Sequence, residues 1–313
     1  MKWFRILAVT LSLAVLPTGL FGCGARAVIF PNEYLEAAIR DALGKPAGED
    51  ITATELASLT ALSVRSSGIT NLSGLEYCTN LTELNLTGTQ ISDLSALAGL
   101  TNLEILTLQD NDISDLSVLA GLTNLRQLNL QGNNISDLSP LAGLTKLWWL
   151  WFEDNNISDL SPLAGLTNLV WLTLYNNNIS DISFLAGLTD LQGLGLDNNN
   201  ISDISLLAGL TNLEWLMLWG NNISDISALT GLTNLEVLDL ADNNISDLSA
   251  LTGLTNLEVL GLLENSISDI SPLEENSGFS EGDAVYLSDN PLSAKSVSVY
   301  IPQLEQRGVI VEY

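Results

Sequence analysis

The chain has 313 residues, 37 of them acidic and 10 basic, for a formal charge of −27 and with no histidine. That acidic excess excludes a phosphate-backbone partner and adsorption to an anionic bilayer through protein charge, so no nucleic acid is expected. Without histidine there is no Ser-His-Asp or Cys-His nucleophile and no His-containing metal site, and phosphate-cradling glycine loops are missing too.

Residues 1–22 read as a signal peptide: Lys2 and Arg5 precede an apolar run over 6–16 that is too short to span a bilayer. The ending Leu20-Phe21-Gly22-Cys23 resembles the bacterial lipoprotein box, which implies cleavage before Cys23 and lipid on that cysteine. The mature protein would then be extracytoplasmic and lipid-anchored to a bacterial membrane, with no other membrane contact. An ordinary signal peptide is the alternative, and it would give a secreted protein. Either cleavage removes two bases and no acids, taking the charge to 8 − 37 = −29. The second cysteine, Cys78, lies 22 residues before Leu100 and is expected to be a small buried core residue. A disulfide to Cys23 is the alternative if the lipid is absent.

Residues 23–57 form the anchor, a linker and an N-terminal cap. Val28, Ile29 and Phe30 predict a strand, and residues 33–43 a helix with Leu35, Ile39 and Leu43 on one face. Asn32 suits its N-cap and Gly44 its stop, while Thr52 and Glu55 fit a capping box. Such a cap covers the apolar end that the first turn of a repeat array exposes.

From 58 to 273 the sequence repeats every 22 residues, as leucines 59, 81, 103, 125, 147, 169, 191, 213, 235 and 257 show. These ten copies form one solenoid, because no copy can bury its leucines alone. The Leu-x-x-Leu-x-Leu portion alternates as a strand does, with leucines inward and the intervening side chains on a concave face. The Ile-Ser-Asp-Leu-Ser portion supplies a tight convex return. Asn111, Asn133, Asn155, Asn177, Asn199, Asn221, Asn243 and Asn265 are expected to form a ladder of stacked amides serving backbone groups. Ser67 and Thr89 hold that position in the first two copies, so the ladder should be weaker there. Asp93 and its equivalents up to Asp269 are expected to accept from backbone N–H groups at the start of a one-turn helix. A calcium ladder would need more oxygen ligands per turn, so no metal is expected.

The spelling L-T-N-L-x-x-L-x-L-x-x-N-x-I-S-D-I/L-S resembles the leucine-rich repeats of the bacterial internalin family over residues 59–273. The resemblance implies an α/β repeat solenoid: a curved right-handed array with a parallel concave sheet, short 3-10 or loop segments on the convex side, and caps at both ends. It also implies that the concave face binds a protein ligand. No immunoglobulin-like region or cell-wall sorting signal follows the repeats here, so host-cell invasion is not carried over. Residues 274–313 read as a C-terminal cap: a last motif with Asn290, a helical stretch over 293–300, a Pro302-led turn of helix to Gly308, and a final strand over 309–313.

On a uniform scaffold, specificity resides where the copies differ. The strand positions that face away from the leucines carry Trp149, Trp151, Trp171, Gly193, Gly195, Trp215 and Met217, with Trp148 just before and Tyr175 and Trp219 just after. These ten residues are the candidate ligand-binding set. Core filling does not explain the aromatics, because leucines and Phe152 already hold the core positions. The two glycines are expected to leave a notch between a Trp149, Trp171 and Tyr175 ridge and a Trp215 and Trp219 ridge. Glu153, Asp154, Asp197, Glu214, Asp239 and Asp242 would rim it. The reading is a monomeric, non-enzymatic surface protein, without cofactor, that binds a protein or peptide. The alternatives are a glycan binder and a self-associating envelope protein.

Overall fold

The computed structural model describes residues 27–65 and 68–313. The signal segment, Cys23 and Ser67 lie outside the described residues. Twelve short strands form one parallel sheet in sequence order. The ten copies supply β1 (Ala61–Ser63), β2 (Glu83–Asn85), β3 (Ile105–Thr107), β4 (Gln127–Asn129), β5 (Trp149–Trp151), β6 (Trp171–Thr173), β7 (Gly193–Gly195), β8 (Trp215–Met217), β9 (Val237–Asp239) and β10 (Val259–Gly261). The cap adds β11 (Ala284–Tyr286) and β12 (Ile310–Glu312).

Each residue of a repeat strand pairs with its equivalent one period later, as Trp149 with Trp171 and Trp171 with Gly193. Because the register never slips, leucines stack on leucines and variable residues on variable residues. In copy six Leu169, Leu172 and Leu174 are fully buried, and Ile179, Leu185 and Leu188 close the same core from the convex side. The return is a 3-10 turn in copies one to nine, as over Ser161–Gly165 and Ser183–Gly187, and a short α-helix over Ser271–Glu275 in copy ten. With the sheet on the concave face, the strands, about 4.8 Å apart, are the closely spaced side of the curved solenoid and the returns the wider-spaced one. Val259 lies opposite Ala284 in the sheet, so the break in spacing after 273 is absorbed in the loop before β11 and not in the strands.

The asparagine ladder forms as expected. Asn177 donates to the carbonyls of Phe152 at 2.9 Å and Leu174 at 3.0 Å and accepts the Ile157 N–H at 2.9 Å, tying copy six to copy five. Thr89 keeps the bond to its own copy, to Leu86 O at 3.0 Å, but sends none back to copy one among the described residues. The aspartates cap their turns: Asp93, Asp159 and Asp225 each accept the N–H of the serine two residues on. That backbone bond, seconded by the serine hydroxyl, holds these carboxyls below the usual aspartate range.

Two further regularities of the repeat become clear in three dimensions. Where an asparagine precedes the leading leucine it forms a second ladder, as Asn168 donates to Thr145 O at 2.7 Å and Asn212 to Thr189 O at 3.0 Å, with Lys146 and Asp190 interrupting it. The residue before each ladder asparagine is left-handed, with φ of 55° at Asp110, 54° at Asn176, 67° at Gly220 and 49° at Asp242. Gly, Asn and Asp tolerate that conformation best, which explains their recurrence there.

At the N-terminal end α1 (Glu33–Leu43) is capped by Asn32, whose side chain accepts the Leu35 N–H, and it stops at Gly44 with φ 63°. The Thr52 and Glu55 capping box opens α2 (Ala53–Leu56). Val28, Ile29 and Phe30 do not form the expected strand. One antiparallel bridge, Ala27 to Thr52, and a bond from Val28 N–H to Ile51 O are all the pairing this segment makes among the described residues. Pro31 has no N–H to extend a ladder, and Phe30 is buried while Ile29 is 82% exposed. Cys78 is fully buried, and burial pushes its thiol up to about 12. At the other end, after α3 (Ser271–Glu275), the two helical pieces expected around Pro302 merge: a wide π turn over Ser296–Tyr300 runs directly into α4 (Ile301–Gln306). Arg307 fastens this cap by donating to the carbonyls of Phe279, Glu274 and Asn276.

Candidate ligand-binding face

Alternation along β5, β6 and β8 turns one leucine per strand inward and the flanking residues to the concave side. The register then sets those flanking residues side by side, about 4.8 Å apart per strand. Trp149 lies at 5.2 Å from Trp151 edge to face, at 5.2 Å from Trp148 and at 6.2 Å from Trp171, between ring centroids. Trp171 in turn stacks on Trp215 at 5.2 Å with the ring planes 24° apart. Five of the six tryptophans in the repeats therefore form one continuous strip, with offset and edge contacts that aromatic rings favour. Trp219 stands beyond it and is 42% exposed, whereas the other five are half-buried against one another.

The expected notch at Gly193 and Gly195 is closed. A Cβ on Gly193 would overlap the Trp171 indole, and one on Gly195 would press against Trp215 and Thr173. The two rings lean from either side over β7 and meet above it. The glycines thus make room for an indole pair from neighbouring copies, which the spacing of the sequence does not show because it gives positions and not the lean of a ring. Met217 lies beside them, half-buried on the same strand as Trp215.

The rim is also different from expectation. Asp154, Glu214 and Asp242 are exposed, but Glu153 is 4% exposed and belongs to the floor. Gln131, Glu153 and Tyr175 occupy equivalent places in copies four, five and six. Gln131 Nε2 donates to the Tyr175 hydroxyl at 3.2 Å, so the two side chains meet over the copy between them, where Glu153 stands. One Glu153 carboxylate oxygen accepts from the Thr173 hydroxyl, and the other has no partner among the described residues. Burial raises the Glu153 carboxyl above the usual glutamate range. Asp197, one copy past Tyr175, accepts the Trp219 N–H at 2.8 Å, and burial pushes its carboxyl up to about 6. Burial, with the charges of Glu153, Asp154 and Asp197, raises the Tyr175 phenol. No group of three or more acids and cysteines with metal-binding geometry exists among the described residues.

The family model for leucine-rich repeats, in units of two copies, matches residues 57–99, 101–143, 145–187, 167–209, 211–253 and 233–275. The crystal structure of internalin C2 from Listeria monocytogenes is 40% identical, with a TM-score of 0.66, covering 69% of this chain and 98% of that one. An internalin from the same species, inlF, is 33% identical with a TM-score of 0.67, covering 91% and 96%. A leucine-rich-repeat protein of Leptospira interrogans shares the fold at 21% identity, with a TM-score of 0.71 over 83% and 73%. No curated protein matches by sequence. With its repeats, its parallel sheet and relatives of this identity over nearly their whole length, the chain belongs to the internalin-like leucine-rich-repeat proteins of bacteria.

Proposed function

We propose that the protein is a non-enzymatic recognition protein of the bacterial surface, whose concave aromatic face binds a protein or peptide. The observation that carries the reading is the continuous strip Trp151, Trp149, Trp171 and Trp215, laid across four adjacent copies where the core has no use for it. Packed tryptophans are the residues most often found at the energetic centre of an interface, and an apolar strip of this length costs solubility unless something covers it. The acids around it match a ligand with an aromatic or aliphatic anchor and basic neighbours. A glycan remains the second reading, because half-exposed indole faces such as those of Trp149 and Trp151 also stack on sugar rings. Attachment through lipid on Cys23 belongs to the same proposal and places the solenoid outside the cytoplasmic membrane. The fragment from Gly24 onward, screened against surface proteins and a glycan array, tests it. A protein ligand whose affinity falls with added salt is expected; hits confined to glycans would replace the reading, and growth in size with concentration would point to self-association.

A further inference from the structure

Tyr175 and Gln131 roof over a buried carboxylate that has an unused oxygen, and no base lies near to use it. We propose that Glu153 is the floor of a pocket for one arginine side chain of the protein ligand, closed in the free protein by the Tyr175 and Gln131 bridge. This rests on the concave-face reading and names a chemical element of its ligand.

Glu153 is 4% exposed and one of its oxygens is unpartnered, a costly arrangement in a free protein unless something else supplies the donor. The ion pairs among the described residues are Arg40 with Glu36, Lys45 with Glu55 and Arg126 with Glu104, so Glu153, Asp154 and Asp197 have no basic partner of their own. A cation to pair with Glu153 would come from the ligand. The roof is held by a single neutral hydrogen bond of 3.2 Å, and Tyr175 is itself half-exposed, so the lid is lightly fastened. Trp151 shares the concave side two residues before Glu153, so an entering group passes an indole. A guanidinium suits this better than an ammonium. It is planar, stacks on aromatic faces, is less strongly hydrated, and can donate to Glu153 through more than one N–H. The preference of the site for charge over shape is what separates it from the tryptophan strip.

The test is titration of the full chain with acetyl-arginine amide and with its neutral near-isostere acetyl-citrulline amide, followed by tryptophan fluorescence. Saturable quenching by the arginine compound is expected, weakened about ten-fold or more by Glu153→Gln, since removing one partner of a desolvated charge pair is costly. The citrulline compound should be at least as weak on the wild type. Tyr175→Phe, which frees the roof, should bind arginine as tightly as wild type or more tightly, and Glu83→Gln, on the same face at β2, should change nothing. Glu153→Gln should also melt no lower than wild type, because it removes a buried charge. Equal arginine affinity for wild type and Glu153→Gln, equal affinity for citrulline, or a lower melting temperature accompanying lost binding would each overturn the pocket. If Trp171→Ala still abolishes capture of a screened protein ligand while the pocket fails, the concave-face reading stands without it; if Trp171→Ala has no effect, that reading has failed first.

Discussion

Two groups of carboxyls on opposite sides of the solenoid link stability to pH with opposite sign. On the convex side, Asp93, Asp159 and Asp225 accept backbone N–H bonds and are held low, so their contribution is present at neutral pH and lost as pH falls through their folded values. On the concave side Asp197 is raised to about 6 by burial. Its unfolded value is about 3.9, so the folded chain holds the proton more tightly. The contribution of Asp197 is therefore full below about pH 4 and lost as pH rises through 6. Asp197→Asn is expected to gain steadily in melting temperature over wild type between about pH 4 and 7 and to hold that gain above it. A constant difference between the two proteins over that range would show that Asp197 does not titrate as its burial implies.

One element repeated ten times made most of the fold legible in the sequence. The strand, its inward leucines, the ladder asparagine and the capping aspartate all follow from period and spacing, because in a register that never slips a sequence repeat is a spatial neighbour. The left-handed residue before each ladder asparagine was equally legible in Asp110, Gly132 and Asn176, but its signal is a set of residue types and not one recurring letter. The site was less legible. Which residues face the concave side is a matter of alternation, whereas the closing of the notch by Trp171 and the burial of Glu153 under Tyr175 depend on rotamers and on contacts between copies. The ladder itself is testable in urea. Asn177→Ala leaves the Ile157 N–H without a partner and takes one of two amide donors from each of the Phe152 and Leu174 carbonyls, and is expected to cost about 1 to 3 kcal/mol. Thr89→Ala, which loses a hydroxyl that reaches only its own copy and Asn111, should cost less. Equal unfolding midpoints would contradict the ladder argument.

At the scale of the whole molecule, the solenoid is a stack of nearest-neighbour contacts closed by two different caps, and changes on the concave surface of one copy leave the core of the next intact. That independence is what allows four copies to carry an aromatic strip while Glu83, Asn85, Ile105 and Thr107 keep an ordinary polar and aliphatic surface at the N-terminal end. It also makes the proposed recognition surface separable from the scaffold by mutation. The decisive measurement is calorimetric binding of the screened protein ligand to a series of folded variants. Trp171→Ala and Trp215→Ala should each weaken binding by about 2 kcal/mol or more, as central aromatic anchors do. Gly193→Ala, which forces the Trp171 ring off β7, should act in the same direction, and Glu83→Ala should leave affinity unchanged. Affinity that survives Trp171→Ala and Trp215→Ala undiminished would mean that the aromatic strip is not where this protein recognises its ligand.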